Sequence, residues 1–478
     1  MKKSIVLPEP VLWLFQRLEQ AGYQVYAVGG CVRDALLGKA PQDWDLCTDA
    51  RPEEMLRLFS DCQTIDAGKK HGTITVILEH QPYEITTFRT EGVYKDGRHP
   101  ENVQFISDLK EDLRRRDFTM NAMAYHPGEG IVDLYGGISD LKQGMLRCVG
   151  DPKKRFSEDA LRILRGLRFA ACYRYQLEPT AAQAAVKLAP SLRQISAERI
   201  AAEFDRFLKG DGKTVAALLR DFTPVWDVIL PECRKLRACG QHHPRHCNTV
   251  WEHTLRVVEA VSASGDLRWA ALLHDIAKPD TKTTDAQGTD HFYRHEAAGA
   301  VQAECILKRF HLEKKRITEI CTLIRCHGLS VPAEPRSMRR MLCRYGEDIT
   351  RQYLLLRKAD CAGQTPEVLP EELPKIQNAK ALLEQILREN ACFQLKDLAV
   401  NGNDLLKIGI KKGPRLGVIL KKLLELVVDE AVPNERKALL QQAKALSITL
   451  PSLPAVPIPD NNDSDTCDKI PENPCHLS

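Results

Sequence analysis

Residues 28–46, VGGCVRDALLGKAPQDWDL, constrain the fold more than any other stretch of the chain. The segment that leads into them, YQVYAV, is apolar and rich in β-forming residues, which predicts a buried strand. Gly29 and Gly30 then allow a tight turn and a close approach of the backbone to a ligand. VRDALLG predicts a short helix whose amino end faces the same place and suits a phosphate. Together these elements predict a phosphate-binding turn.

A pair of aspartates, Asp43 and Asp45, follows the turn. On a strand, their spacing puts both carboxylates on one face. Two such carboxylates repel each other unless a cation lies between them, and Mg²⁺ with substrate phosphates is the usual solution. An isolated pair is more often a solvated turn, but the preceding glycine turn favours a metal site. A phosphate site beside a metal site predicts phosphoryl or nucleotidyl transfer.

GGCVRDALLG followed by DWDL resembles the opening motif of the DNA polymerase β-like nucleotidyltransferases. More narrowly, it resembles their class II branch, which holds bacterial tRNA CCA-adding enzymes and bacterial poly(A) polymerases. The resemblance implies an α+β fold, with a small nucleotidyltransferase sheet and its helices at the N-terminus and all-α domains after it. It also implies Mg²⁺ as the cofactor, held by Asp43 and Asp45, and the tRNA 3′ end, CTP and ATP as partners.

Size and composition set the remaining limits. A chain of 478 residues predicts three or four domains, and 43% hydrophobic with 28% charged residues is typical of a soluble globular protein. The net charge of +4 is small, so RNA binding depends on local basic clusters. Sixteen scattered cysteines fit a reducing cytosol better than a disulfide framework. No apolar run reaches the ~18 residues that cross a bilayer, so we expect a cytoplasmic protein without membrane contact.

Two segments after the aspartates extend the predicted transferase head. Glu84, in YEITTF, lies on a predicted neighbouring strand. There a third carboxylate would complete the metal ligands or accept a proton. On sequence alone, an ordinary exposed glutamate without a catalytic role is an equally good interpretation of Glu84. YKDGRHP (residues 94–100) resembles the flexible loop that helps CCA-adding enzymes change from CTP to ATP. The poly(A) polymerases of this branch lack the DGRHP sequence, which favours CCA addition.

Three arginines precede Asp117, Phe118 and Asn121 in RRRDFTMNA. Such a run is more often a solvated surface, but a carboxylate, a ring and an amide beside guanidinium groups can hold a ribose and a triphosphate. RRDFTMNA resembles the second class II motif, which implies nucleotide contacts from Arg116, Asp117 and Asn121. DLYGGISDL (residues 133–141) resembles the hinge-like third motif.

The segment RFSEDALRILRGLRFAACY (residues 155–173) predicts one helix with a capped amino terminus. A Glu–Arg pair on such a helix is by default a surface ion pair that contributes ~0.3–0.5 kcal/mol. A carboxylate can instead accept from the amine that C and A share, while an arginine donates to the adjacent ring nitrogen, which would exclude U and G. EDALR resembles the class II protein template. The resemblance implies Asp159 and Arg162 as base readers and Arg165 and Arg168 as nucleotide or phosphate contacts.

A different signal follows residue 231. His253, His274, Asp275 and Asp360 lie on predicted helices that could converge in a bundle and bind one divalent metal. AALLHDIAKP, with a histidine and an aspartate at these distances, resembles the HD phosphohydrolase superfamily. This implies hydrolysis of a phosphate ester, for example a 2′,3′-cyclic phosphate on damaged tRNA ends. Further matching positions, for a second metal or a substrate phosphate, are His295, His327 and Lys278, with solvent exposure the alternative for the lysine.

The rest of the chain is predicted to be helical and then disordered. Gly409 and Gly413 separate two amphipathic segments flanked by lysines, which predicts either a contact with an RNA backbone or a packed helix pair. The Pro- and Asp-rich sequence from residue 451 predicts disorder. We therefore predict five parts: a nucleotidyltransferase head (1–145), a helical neck (146–230), an HD domain (231–368), a helical RNA-binding tail (369–450) and a disordered C-terminus (451–478).

The first functional hypothesis is template-independent addition of CCA to the 3′ end of tRNA from CTP and ATP, with a phosphohydrolase activity in the HD domain. A poly(A) polymerase, or an enzyme that adds only A, is the nearest alternative. From another class, the chain could be an HD phosphohydrolase whose transferase-like head only binds RNA. The presence of both Asp43 and Asp45 argues against this last hypothesis.

Overall fold

The structure is a computed structural model that describes residues 5–91, 103–242, 245, 248–262, 265–389 and 391–449. The YKDGRHP segment and the C-terminal segment from residue 451 lie outside the described residues. The chain divides into two compact units. One comprises Met1–Val331 with Glu347–Ala381, and the other comprises Pro332–Gly346 with Leu382–Ser478. The finer division into five parts stays a prediction.

A seven-stranded mixed sheet forms the amino-terminal part of the first unit. Its strands are β1 (Val25–Val28), β2 (Leu46–Thr48), β3 (Gln63–Ile65), β4 (Thr73–Leu78), β5 (Gln81–Thr87) and, after the pair β6 (Arg89–Glu91) and β7 (Val103–Phe105), β8 (Met123–His126) and β9 (Gly130–Asp133). Their spatial order is β3-β4-β5-β2-β1-β8-β9. Among the described strands of this sheet, only β2 and β5 pair in parallel. Every residue of β1 is buried, as its apolar sequence predicts.

Five described α-helices alternate with these strands in the amino-terminal part of the chain, and the mixture of sheet and helices confirms the predicted α+β class. They are α1 (Glu9–Gln20), α2 (Gly30–Leu36), α3 (Pro52–Leu58), α4 (Leu109–Arg114) and α5 (Gly137–Gln143). The amphipathic helix α1 buries four apolar residues, Val11, Leu14, Phe15 and Leu18, at the spacing of one helical face.

The rest of the first unit is almost entirely helical, as predicted. Its elements are β10 (Met145–Leu146), α6 (Pro152–Glu158), α7 (Leu161–Tyr173), β11 (Gln176–Leu177), α8 (Pro179–Leu188), α9 (Ala197–Leu208), α10 (Gly212–Asp221), α11 (Thr223–Ile229), α12 (Cys233–Ala238), α13 (Val250–Ala260), α14 (Gly265–Leu273), α15 (Lys278–Thr281), β12 (Lys282–Thr284), β13 (Asp290–Phe292), α16 (His295–Arg309) and α17 (Lys314–Cys326). Two longer helices follow, α18 (Pro335–Gly363), interrupted by non-helical backbone at Gly346, and α19 (Val368–Arg388). Residues 335–346 of α18 and 382–388 of α19 belong to the second unit.

The prediction of one helix over residues 155–173 is wrong. Helix α6 ends at Glu158, α7 begins at Leu161, and Asp159 between them has extended backbone, with φ −144° and ψ 108°. Oδ1 of Asp159 accepts a hydrogen bond from the backbone N–H of Leu161 at 3.0 Å. An aspartate that bonds nearby backbone in this way competes with the helix, which accounts for the break.

An aromatic core joins helices on both sides of the predicted neck–HD boundary. Phe204 of α9 is 1% exposed, and its ring centroid lies 5.6 Å from that of Trp226 and 5.0 Å from that of Trp269. Phe310, just after α16, completes the cluster at 5.8 Å. Helices α9, α11 and α14 therefore share one core.

Because Phe204 fills the centre of this core, Phe204→Ala should lower the free energy of unfolding by about 3–5 kcal/mol. The loss would appear as a lower Tm in thermal unfolding followed by circular dichroism. Val186→Ala, on the partly exposed surface of α8, should change stability by less than about 0.5 kcal/mol. Equal Tm values for the two variants would contradict the assignment of this core.

The second unit has an apolar core of its own. Helices α20 (Gly402–Lys407), α21 (Pro414–Val428) and α22 (Arg436–Thr449) pack around Leu405, Ile419, Leu423 and Leu439. Gly409 and Gly413 both have positive φ, at 93° and 154°, in the turn between α20 and α21, where the sequence predicts a glycine hairpin. Among the described residues, no helix combines the length and the apolar character needed to cross a lipid bilayer.

Candidate active site

The glycine turn forms where β1 meets α2, as predicted. Gly29 has a φ of 75°, in the left-handed region that favours glycine. A Cβ on Gly29 would lie 3.0 Å from Nη1 of Arg116, so a side chain there would push this guanidinium away from the turn. The backbone N–H of Gly29 donates to the carbonyl of Met123 at the neighbouring strand β8, which holds the turn in place.

Asp43 and Asp45 lie just before β2 and not on it, so the predicted strand bounds are wrong by a few residues. The backbone N–H of Val28 nevertheless donates to the carbonyl of Asp45 at 3.0 Å, which continues the pairing of β1 and β2. Trp44, between the aspartates, is 8% exposed, whereas both aspartates are exposed. The alternation of an extended chain therefore puts both carboxylates on one side, as predicted.

Glu84 lies beside Asp45. In the parallel pairing of β2 and β5, Leu46 is opposite Ile85, so the residues before them are also neighbours. Partial desolvation raises the pKa of Asp45, the carboxylates of Glu84 and Asp43 raise it further, and Arg116 opposes them. Asp43 and Asp45 both line one cavity, and a carboxylate pair of this kind suits a hard cation such as Mg²⁺. The residues present therefore fit a divalent metal at this place.

A buried aspartate orders the arginines of the second motif. Asp112 is fully buried, and its carboxylate accepts from Arg115 at 2.8 Å and from Arg116 at 3.3 Å. It also accepts from the backbone N–H of Arg89. Sequence analysis missed Asp112, although its spacing of three and four residues from the arginines is a helical ion-pair signal. Arg116 is thus held against the glycine turn.

The other motif residues are joined by hydrogen bonds across three segments. Nη1 of Arg33 donates to Oδ1 of Asn121 at 2.7 Å, and Nδ2 of Asn121 donates to Oδ1 of Asp117 at 3.3 Å. Nε of Arg165, on α7, donates to Oδ2 of Asp117 at 2.8 Å. Burial alone would raise the pKa of Asp117, but the Arg165 guanidinium outweighs it and holds that pKa at about 2. Asp117 is therefore a permanent anion among cations.

Helix α9 supplies partners to the predicted base-reading segment. Oδ2 of Asp159 lies 2.8 Å from Nη2 of Arg199, and Nε of Arg168 lies 2.6 Å from Oε2 of the buried Glu203. Arg162 is bonded to Glu158 at 2.6 Å. Sequence analysis missed Arg199 and Glu203 as site residues. Arg199 is 40 positions from Asp159, and no local pattern joins two residues at that separation.

These elements enclose one open cavity of about 570 Å³. Every residue predicted for the transferase site lines it, except Glu84. Seven arginines face the cavity, together with Asp43 and Asp45. Its volume lies in the range of small-molecule sites, and the arginines match the charge of a triphosphate.

A second polar cluster is buried among the helices that follow. His253 lies on α13 and Asp360 on α18, whereas His274 and Asp275 lie in the turn after α14 ends at Leu273. The prediction that all four lie on helices is wrong for this pair, but the four side chains do converge. Nε2 of His253 is 3.1 Å from Asp360 Oδ1 and 3.2 Å from His274 Nε2, which is 3.1 Å from Asp275 Oδ2.

The other oxygen of Asp275 faces a second histidine pair. Its Oδ1 lies 3.4 Å from Nε2 of His295 and 3.7 Å from Nε2 of His327, and these two nitrogens are 3.2 Å apart. Nζ of Lys278 is 2.8 Å from Oδ2 of Asp275, and this lysine is only 6% exposed. Solvent exposure, the alternative weighed for Lys278, is therefore wrong.

Contacts at Nδ1 orient three histidines of these clusters. Nδ1 of His274, His295 and His327 each faces the backbone carbonyl three residues earlier, at 2.7–2.8 Å. In the tautomer with its proton on Nδ1, each of these histidines turns the lone pair of Nε2 into the cluster, where it can ligate a cation. Nε2 of His295 lies 3.2 Å from Nε2 of His327. Within the described part of the chain, neither oxygen of Asp275 accepts a well-directed hydrogen bond. Imidazole with carboxylate is a donor set for a transition metal.

A glycine turn, a carboxylate pair and an arginine-rich cavity on a mixed sheet define a nucleotidyltransferase. The CCA-adding enzyme of Streptococcus gordonii is 35% identical over 439 residues, 91% of this chain and 97% of that protein. That of Lacticaseibacillus paracasei is 33% identical over 434 residues, 91% of this chain and 95% of that protein. The chain belongs to the class II CCA-adding enzyme and poly(A) polymerase family.

Family models and solved structures agree with this assignment. The poly A polymerase head domain matches residues 25–147, the probable RNA and SrmB-binding site of polymerase A matches 174–235, and the putative tRNA nucleotidyltransferase domain 2 matches 295–443. The Bacillus stearothermophilus CCA-adding enzyme in complex with CTP is similar, with a TM-score of 0.66, 27% identity, and coverage of 93% of this chain and 99% of that one. The Thermotoga maritima CCA-adding enzyme complexed with tRNA shares the fold, with a TM-score of 0.54, 20% identity, and coverage of 92% and 96%.

Proposed function

We propose that the protein adds CCA to the 3′ end of tRNA in the cytoplasm, from CTP and ATP and without a nucleic-acid template, and releases pyrophosphate. The observation that carries this proposal is the single cavity in which the glycine turn, the aspartate pair and the residues around Asp159 meet. The printed names of relatives that match over nine-tenths of the chain support the same function.

Asp43 and Asp45 would hold Mg²⁺, with Glu84 beside them to complete the ligands or to accept a proton. Bound there, the metal favours deprotonation of the tRNA 3′-hydroxyl and neutralises charge on the departing pyrophosphate. Arg33 and Arg116, at the glycine turn, would hold the triphosphate in line with the attacking oxygen. Their planar guanidinium groups suit two-point contacts with phosphate oxygens.

Asp159 and Arg162 line the same cavity as the glycine turn and would select the base of the incoming nucleotide. Asp159 accepts from the exocyclic amine that C and A share, and Arg162 donates to the adjacent ring nitrogen. Arg199 contacts Oδ2 of Asp159 at 2.8 Å, which holds this carboxylate in place at the cavity. U and G present a carbonyl oxygen and a protonated ring nitrogen at these positions, so they are rejected.

We expect Asp159→Asn to lower kcat/KM for CTP and ATP about 10–100-fold, because one buried polar contact to the base is lost or reversed. The same change should raise incorporation of UMP and GMP relative to CMP and AMP. Single-nucleotide incorporation with each NTP measures both effects. Glu198→Gln, an exposed neighbour of Arg199, serves as the control and should leave the base preference unchanged. Unaltered preference in Asp159→Asn would contradict the base-reading role.

Nucleotide addition itself is tested with tRNA that lacks its 3′ terminus. The purified protein should incorporate two CMP and one AMP per tRNA when CTP and ATP are present, and should stop there. A long A tail would establish a poly(A) polymerase instead. Addition of AMP only to tRNA that already ends in CC would establish an A-adding enzyme.

We further propose a phosphohydrolase activity at the second cluster. Asp275, whose two oxygens face separate histidine pairs, supports it. His253, His274, Asp275 and Asp360 would hold one divalent metal, and His295 and His327 face the second oxygen of Asp275. A divalent metal held there would supply the Lewis acidity that activates water for hydrolysis of a phosphate ester. The amino group of Lys278 lies close enough to contact such a phosphate.

A further inference from the structure

A continuous set of polar side chains starts and ends on helix α7. The hydroxyl of Tyr173, at the end of α7, donates to Oδ1 of Asp34 at 3.0 Å. Asp34 accepts from Nε of Arg33 at 2.9 Å and from its Nη2 at 3.0 Å. Arg33 then leads through Asn121 and Asp117 back to α7. We call this closed set the hydrogen-bonded ring. It contains, in order, Tyr173, Asp34, Arg33, Asn121, Asp117 and Arg165.

The hydrogen-bonded ring fixes the orientation of Arg33 beside the glycine turn. Arg33 is 7% exposed, and its Nη2 lies 3.6 Å from the position that a Cβ on Gly30 would occupy. Its Cζ lies 4.8 Å from the ring centroid of Tyr173 and 5.5 Å from that of Phe169. Tyr173 therefore acts on Arg33 twice, through Asp34 at its edge and through an aromatic face.

Tyr173 is suited to this role at neutral pH. Burial and the neighbouring Asp34 carboxylate raise the pKa of Tyr173 to about 12, despite the opposing charge of Arg33. The hydroxyl thus remains a donor. Nζ of Lys39 also lies 4.6 Å from its ring centroid, so two cations contact this aromatic ring. Sequence analysis assigned neither Tyr173 nor Asp34 a place in the site.

We propose that Tyr173 is a positioning residue for the incoming nucleotide. The proposed base readers lie at the start of α7, and Arg33, on α2, lies at the glycine turn. The hydrogen-bonded ring ties these two parts of the cavity together, and the Tyr173 hydroxyl is its link between Asp34 and α7. This inference rests on the proposed nucleotide addition. Because CTP and ATP need the same separation between base and triphosphate, both nucleotides depend on it.

The test compares Tyr173→Phe with Tyr175→Phe. Tyr175 is a matched control. Its aromatic ring lies 5.8 Å from that of Tyr173, but its hydroxyl donates to the carbonyl of Leu141, which is not part of the hydrogen-bonded ring. Loss of one hydrogen bond to a charged group should raise KM for CTP and ATP about 5–20-fold in Tyr173→Phe, with kcat changed less than about twofold. Tyr175→Phe should match the wild type. KM for tRNA should be the same in all three proteins, and the two variants should have similar Tm values because each loses one tyrosine hydrogen bond.

A double-mutant cycle with Asp34→Ala tests whether the effect passes through the hydrogen-bonded ring. The double variant should bind nucleotide no worse than Asp34→Ala alone, since each change removes the same link between Tyr173 and Asp34. Additive effects would overturn the proposal. So would equal nucleotide KM values for Tyr173→Phe and Tyr175→Phe, or a Tyr173→Phe protein with lower Tm and higher KM for tRNA. If the wild type adds no CMP or AMP, the proposed function fails and not this inference alone.

Discussion

Asp45→Asn should lower kcat for CMP and AMP incorporation by about 10³-fold or more, which corresponds to ~4 kcal/mol of lost transition-state stabilisation. Asp43→Asn should behave in the same way. An amide has nearly the shape of the carboxylate but not its charge, so the cation that neutralises the pyrophosphate would be held weakly. The arginines of the cavity remain, so nucleotide binding should survive. Rapid-quench incorporation and equilibrium binding of CTP separate the two effects.

Asp108→Asn is the matched control for this change. Asp108 begins helix α4, and its side chain accepts from the backbone N–H of Lys110 at 2.8 Å. Asparagine caps a helix about as well as aspartate, so this variant should retain wild-type activity. If Asp45→Asn and Asp43→Asn also incorporate CMP at the wild-type rate, the carboxylate pair is not the metal site of the reaction.

Asp275→Asn should remove both bound metal and phosphohydrolase activity, with a fall in hydrolysis of about 10³-fold or more. Asp275 shares its two oxygens between the pair His253–His274 and the pair His295–His327, so one substitution weakens both halves of the cluster. CMP incorporation should remain unchanged, because the transferase cavity uses none of these residues. Metal content by mass spectrometry and hydrolysis of a 2′,3′-cyclic nucleotide measure the loss.

Asp280→Asn controls for loss of a carboxylate in the same region. Asp280 accepts from Lys235 and Gln302 away from the cluster, so this variant should keep its metal and its hydrolytic activity. Full metal content with normal hydrolysis in Asp275→Asn would refute the phosphohydrolase site. Loss of CMP incorporation together with hydrolysis would show that the substitution disturbs the whole unit, and would refute the separation of the two sites.

The residues that local sequence could identify are those whose chemistry depends on near neighbours. Gly29, Asp43 and Asp45 act through spacing along an extended chain, and the structure places them in one cavity. Glu84 was predicted on an adjacent strand, and the parallel register of β2 and β5 puts it beside Asp45. The α+β class was implied by the family resemblance, and the apolar first strand and the long stretches with helical periodicity agree with it.

The residues that sequence analysis missed depend on partners far along the chain. Arg199 contacts Asp159 across 40 positions, and Tyr173 contacts Asp34 across 139. Which of many surface charges meet is decided by the packing of α9 and α2 against α7, and no local pattern contains that information. The break at Asp159 was missed because the sequence on both sides has helical periodicity. That pattern does not indicate that the Asp159 carboxylate accepts from the backbone N–H of Leu161 and interrupts the helix.

The measurement that tests the central claim most directly is anomalous X-ray scattering from Mn²⁺ in crystals soaked with a non-hydrolysable CTP analogue. We expect a peak about 2.1 Å from carboxylate oxygens of Asp43 and Asp45 and from oxygens of the triphosphate, opposite the turn at Gly29. A bound nucleotide with no metal peak between it and these aspartates would contradict the claim that this carboxylate pair drives nucleotide addition.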